Sequence, residues 1–325
     1  MKRILIIRID FLGDLVCTTA LIRSIKQRWP AAELHVLANR DNQEVLLNNP
    51  DVTQCHTYVY SKHRERNRRP GRLATLVDRW ELIWRLRRLH VDLLVIPNGG
   101  MHKNSIQFAR QLNARDNRWH DAETGFDDRN PVHVANRALR HEALSGYALM
   151  PELGHINIDA LRLQLYPVPD IRARWQTFFG NRTRPRIGLF ISNKSSRRRW
   201  PIEKWRQLAA TLSPQGEVFV FHHPTELPMT PIAARSLVTP SVKELVAAMS
   251  LLDLVISADS APVHISSALQ IPVVALFEAR PEKYRRWYPL VRHELLYAGP
   301  EVASIPVEAV VAAVHRLVLS TEEVK

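Results

Sequence analysis

A chain of 325 residues is longer than a single core usually grows, and with 46% hydrophobic and 24% charged residues it reads as a folded, soluble, two-domain protein. No apolar run approaches the ~18 residues of a transmembrane helix, the run after Lys2-Arg3 breaks too early for a secretory signal, and two cysteines, Cys17 and Cys55, exclude a disulfide framework or a four-cysteine zinc site, so a reducing cytoplasm is expected. A formal net charge of +13 implies an anionic partner, whether nucleic acid, a phosphorylated lipid surface or a phosphate-bearing substrate, unless it is only an arginine-rich solvated surface.

The pattern along the chain alternates strand and helix. Residues 2–9 form a buried-type strand, and from Leu15 a helical period places Leu15, Ile22, Ile25 and Trp29 on one face until Pro30 stops it. Residues 34–38 read as a strand and 43–47 as a short helix. Leu73, Leu76, Trp80 and Ile83 group on one helical face, and 92–96 is a strand. Residues 113–160 are polar and unassigned. A Pro-containing connection starts near 166, with one helix over 170–179. Alternation then restarts: strand 186–191, helix 201–212, strand 217–221, helix 242–251, strand 254–256, helix 261–269, strand 273–277, and a final helix over about 302–319. Two successive α/β halves predict two parallel sheets covered by helices.

Open parallel sheets bind ligands beyond the C-terminal ends of their strands, which selects three turns. In residues 10–14, Gly13 suits a tight bend and Asp14 stands at the helix start, either as a helix cap or as a chemical group. The turn lacks G-x-G-x-x-G, which disfavours a dinucleotide site. Residues 192–201 combine Lys194, Arg197, Arg198 and Arg199 with small polar residues before a helix, a natural phosphate cradle or else a solvated basic loop. Residues 257–264 bring Asp259, Ser260 and His264 to another strand-to-helix turn, with Pro262 in the first helical turn. A fourth segment, 62–72, holds Arg64, Arg66, Arg68, Arg69 and Arg72, without the aromatic interleaving that stacks nucleic-acid bases. No H-E-x-x-H, D-x-D or G-x-S-x-G occurs, so neither a metal site nor a nucleophile elbow is expected.

These residues resemble the glycosyltransferase family 9 heptosyltransferases of lipopolysaccharide inner-core synthesis. The landmarks are Arg8-Ile9-Asp10-Phe11-Leu12-Gly13-Asp14 with Thr18-Thr19-Ala20-Leu21, then Arg198-Arg199-Trp200-Pro201 through Trp205, then Asp259-Ser260-Ala261-Pro262-Val263-His264 leading to Pro272 and Phe277. The resemblance implies a GT-B fold, two Rossmann-like domains facing a central cleft. The expected divisions are an acceptor-binding domain over 1–166, a connection over 167–184, a nucleotide-sugar-binding domain over 185–301, and a helix over 302–325 returning to the first domain. It also implies inverting, metal-independent transfer of heptose from ADP-heptose, without a cofactor, to Kdo or heptose of a lipid A-linked acceptor. The enzyme would sit in the cytoplasm, peripherally at the inner face of the membrane, with no nucleic-acid partner. By resemblance Asp14 matches the general base, Arg198 a phosphate-binding cation beside Lys194, and Asp259, Ser260, Ala261 and His264 the donor segment. Ala261 stands where the family usually has glycine. Gly13 and the arginines 64, 66, 68, 69 and 72 are assigned to the acceptor side. Two other readings are a transferase using another nucleotide sugar for a surface glycan, and a non-catalytic binder of anionic glycolipid.

Overall fold

The computed structural model describes residues 2–59, 71–127, 129–138, 140–222 and 234–319. The chain divides into two compact units, Met1–Leu161 and Arg162–Lys325.

The first unit contains β1 (Arg3–Arg8), α1 (Leu12–Arg28), β2 (Glu33–Asn39), β3 (Gln54–Tyr58), α2 (Arg72–Arg87), β4 (Leu93–Ile96), α3 (Lys103–Ala109), β5 (Asp116–Trp119) and α4 (Pro131–Ala138). Its strands are all parallel, in the order β3-β2-β1-β4-β5. Ile4, Leu5, Ile6 and Ile7 are all buried, because a parallel sheet is covered on both faces and its central strand must be apolar on both. Leu5, Ile7, Leu94 and Ile96 pack with Ile83 and Leu86 of α2 and Phe108 of α3. Helix α1 buries Leu15, Ile22 and Ile25, as their spacing predicts.

Helix α2 forms where expected, but its buried face differs. Leu82, Ile83 and Leu86 are buried, whereas Leu73, Leu76 and Trp80 are exposed. The helix carries apolar residues on two faces, and only one can meet the sheet.

The second unit contains α5 (Pro169–Phe179), β6 (Arg186–Phe190), α6 (Ile202–Leu212), β7 (Glu217–His222), β8 (Arg235–Val238), α7 (Val242–Met249), β9 (Leu254–Ala258), α8 (Ala261–Leu269), β10 (Val273–Leu276), α9 (Pro281–Trp287), β11 (His293–Leu296) and α10 (Val307–Leu319). Its six strands are again parallel, in the order β11-β10-β9-β6-β7-β8. In both sheets the winding reverses beside the first strand, between β1 and β4 and between β6 and β9. Such switch points open a crevice at the strands' C-terminal ends.

Two helices flanking the second sheet are built into the second unit. Residues 167–184 are not a bare connection: α5 belongs to the second unit, where Trp175 Nε1 donates to Glu244 of α7 at 2.6 Å and Phe179 meets Phe219 of β7 edge-on at 4.5 Å. The described residues of the C-terminal helix are built into the second unit. In α10, Val310, Ala313, Val314 and Leu317 are part of the second unit's core with Leu208 and Leu212 of α6, and Arg292 donates to the Leu317 carbonyl at 2.7 Å. Its apolar face is wide enough to be retained by its own sheet.

Candidate functional site

At the switch point of the first unit, β1 ends on a buried arginine. Arg8 is 1% exposed. Its Nε stands 2.9 Å from Asp10, and its Nη2 donates to both Asp14 at 2.6 Å and Glu142 at 2.7 Å. The carboxylates are themselves held. Asn98, just beyond β4, donates to Asp10 at 2.5 Å, the Gly99 amide donates to Glu142 at 3.0 Å, and Asn42 donates to the Asp10 carbonyl at 2.7 Å. Glu142 opens a 3-10 turn, 142–144, in the stretch left unassigned by the sequence. Gly146 lets that stretch close down on α1 and β4: a Cβ there would stand 2.5 Å from Leu21 Cδ2 and 2.7 Å from Pro97 Cβ.

One guanidinium therefore serves three carboxylates. Burial, then the neighbouring charge of Asp10 and of Glu142, push the Asp14 carboxyl up to about 8 against the opposing pull of Arg8. Asp14 does not cap α1. The N-cap is Phe11, and Asp14 lies within the first turn. Gly13 is helical and is not among the residues with positive φ, so the bend expected of it is made before it.

At the switch point of the second unit, the loops after β6 and β9 meet. Arg198 Nη1 lies 3.2 Å from the Asp259 carbonyl and 3.3 Å from its carboxylate, and Asn193 donates to the same carbonyl at 2.9 Å. Arg199 donates to the Asn193 carbonyl at 2.7 Å, which ties the basic loop to itself. Burial raises the Asp259 carboxyl, opposed by Arg198 and Lys283. Ser260 is the N-cap of α8 without using its side chain on that helix; its hydroxyl donates to the Ala258 carbonyl at 3.0 Å. Ala261 is the first helical residue, with Pro262 behind it, and Lys194 is exposed on the facing loop. A helix N-terminus beside the Arg198 guanidinium suits a phosphate group. His264 is buried one turn in, its ring 5.5 Å from that of Trp287, a packing position rather than an open one.

Thus Arg198, Asp259, Ser260 and Ala261 come together in one unit, with Lys194 exposed on the loop that carries Arg198, and Asp14 stands in the other unit. Arg64, Arg66, Arg68 and Arg69 lie outside the described residues, and Arg72 is the exposed first residue of α2. Arg8 and Glu142 were missed. An arginine inside an apolar strand is a sequence signal that carboxylates must be near. For Glu142 the sequence holds no comparable signal.

Both units are Rossmann-like, the two-domain architecture of the GT-B fold. Residues 167–297 match the profile of glycosyltransferase family 9 (heptosyltransferase). Over 316 residues it is 24% identical to lipopolysaccharide heptosyltransferase 3 of Escherichia coli, covering 91% of this chain and 88% of that one. A family 9 glycosyltransferase from Veillonella parvula superposes with a TM-score of 0.79 at 18% identity, covering 98% of this chain and 97% of that one. The E. coli heptosyltransferase WaaC with ADP superposes with a TM-score of 0.74 at 15% identity, covering 97% and 99%.

Proposed function

We propose that this glycosyltransferase moves heptose from ADP-heptose to Kdo or heptose of a lipid A-linked acceptor in the lipopolysaccharide inner core, by inverting, metal-independent displacement. The observation that carries the reading is Asp14, a carboxylate at a switch point whose affinity for a proton has been raised. In the reaction Asp14 takes the proton of the acceptor hydroxyl while that oxygen bonds to the anomeric carbon. The bond from that carbon to the diphosphate breaks in the same step, which inverts the centre. Arg198, Lys194 and the N-terminus of α8 receive the charge left on ADP. The ADP and ADP-2-deoxy-2-fluoro heptose bound in WaaC structures support this donor class. Gly13 and the arginines of the 64–72 segment serve the acceptor, which holds the enzyme peripherally at the inner face of the cytoplasmic membrane. Purified protein offered ADP-heptose beside UDP- and GDP-sugars tests the reading. Transfer from ADP-heptose alone, with an inverted anomer by NMR, is expected; turnover with another sugar nucleotide instead would replace the donor.

Donor binding is expected to depend on Arg198. A charge-assisted contact to phosphate is worth about 1.5–3 kcal/mol, so Arg198→Ala weakens ADP binding by about 10- to 100-fold in calorimetry. Unchanged ADP affinity would move the phosphate site to Lys194 or Arg199.

Transfer is also expected to persist in EDTA. The sequence has no D-x-D triplet, and the carboxylates of Asp10, Asp14 and Glu142 converge on a guanidinium. Activity that collapses in EDTA and returns with Mg²⁺ would show that an ion shares the diphosphate's charge.

A further inference from the structure

Helix α2 carries five of the twelve exposed large apolar side chains among the described residues: Leu73 (80% exposed), Leu76 (55%), Val77 (47%), Trp80 (66%) and Trp84 (57%). Their spacing of three, four, seven and eleven residues puts them on one face. The same helix buries Leu82, Ile83 and Leu86 against its sheet, so this second apolar face is additional to the one that holds the fold together. Single exposed apolar residues are ordinary; a contiguous stripe of this kind marks an interaction surface.

The edge of the stripe is cationic. Arg85, Arg87 and Arg88 are exposed at its C-terminal end, and the Arg88 guanidinium lies 3.5 Å over the Trp84 ring. Arg87 is anchored by its Nε on the Gln111 carbonyl at 2.6 Å. Leucine and tryptophan on the apolar face with arginine beside it is the composition of a helix that lies in a bilayer interface, apolar side in the acyl boundary and guanidinium groups among headgroups. Sixteen residues make a rod about 24 Å long, enough to lie flat along a membrane surface. No helix among the described residues is long and apolar enough to cross a membrane. A second copy of this chain is a poor occupant, since the stripe would bring together two molecules of net charge +13, whereas an anionic lipid surface neutralises that charge.

We propose that the exposed face of α2 docks the protein on an anionic lipid bilayer, with Leu73, Leu76, Val77, Trp80 and Trp84 inserted at the interface and Arg85 and Arg88 on the headgroups. Such a face serves the peripheral location proposed above. Vesicle binding is read without transferase activity, so the two can fail separately.

The test is co-sedimentation of the full chain with vesicles of phosphatidylcholine containing about one third phosphatidylglycerol, and of phosphatidylcholine alone, at low and physiological salt. Wild type is expected to sediment with the anionic vesicles and far less with the neutral ones. Trp80→Ala with Trp84→Ala, two exposed positions whose loss leaves the core intact, is expected to weaken binding more than about tenfold with an unchanged thermal melt. Arg85→Gln with Arg88→Gln should weaken binding to anionic vesicles and flatten its salt dependence. Wild type that fails to bind anionic vesicles at low salt would overturn the proposal. So would a double tryptophan variant that binds as well as wild type, or self-association that this variant abolishes while lipid binding is absent, which would assign the face to a second copy.

Discussion

Asp14→Asn is expected to lower kcat by about 10²–10⁴-fold while leaving ADP affinity unchanged, since the amide fills the same space but cannot take a proton and the residues proposed for ADP lie on the other unit. The pH dependence carries more information than the loss. As a base Asp14 would act ionised, and since burial and Asp10 push its carboxyl up to about 8, turnover should rise with pH to a plateau above that value. Stability should move the other way. Because the folded carboxyl lies above its unfolded value, the native state holds a proton between about pH 4 and pH 8 that the unfolded chain has released, and raising pH through that window lowers stability. Asparagine has no charge to expose to this penalty. Thermal melts of wild type and Asp14→Asn at about pH 5 and about pH 8.5 should therefore diverge in favour of the variant at the higher pH. Near-wild-type turnover in the variant would leave Asp14 without its role as base.

How much of this was legible depends on where the information sits. The turns after β1, β6 and β9 could be read because an apolar run followed by small or charged residues and a helical period is a local signal, and ligand sites on parallel sheets lie at such turns. That reasoning reached Asp14, Arg198 and Asp259. It could not reach Glu142, which meets Arg8 from 134 residues away through a short 3-10 turn with no periodicity of its own. Periodicity also identified α2 as a helix without deciding its orientation, because apolar residues occupy two of its faces and only the sheet selects between them. The short strands β5, β8 and β11 were missed for a related reason. Each is a sheet edge, half-exposed and polar, without the apolar run that marks β1 or β9.

Arg8 should matter more to the fold than any other single charge in the first unit. Arg8→Met keeps most of the volume and removes the cation, which leaves the carboxylates of Asp10, Asp14 and Glu142 facing one another at side-chain exposures of 10%, 16% and 1%. Removing one partner of a buried ionic group typically costs about 3–5 kcal/mol, and a loss of that size in urea unfolding is expected near pH 8. The loss should shrink on acidification. Without the guanidinium, burial and mutual repulsion raise the folded carboxyls above their unfolded values, so the folded variant gains protons as pH falls and regains stability as it does so. Adding Glu142→Gln to Arg8→Met removes one of the stranded charges and should restore part of the lost stability, a coupling that two independent sites would not show. An Arg8→Met protein as stable as wild type at pH 8 would mean that the amide partners of Asp10 and Glu142, Asn98 and Gly99, hold the cluster without the arginine.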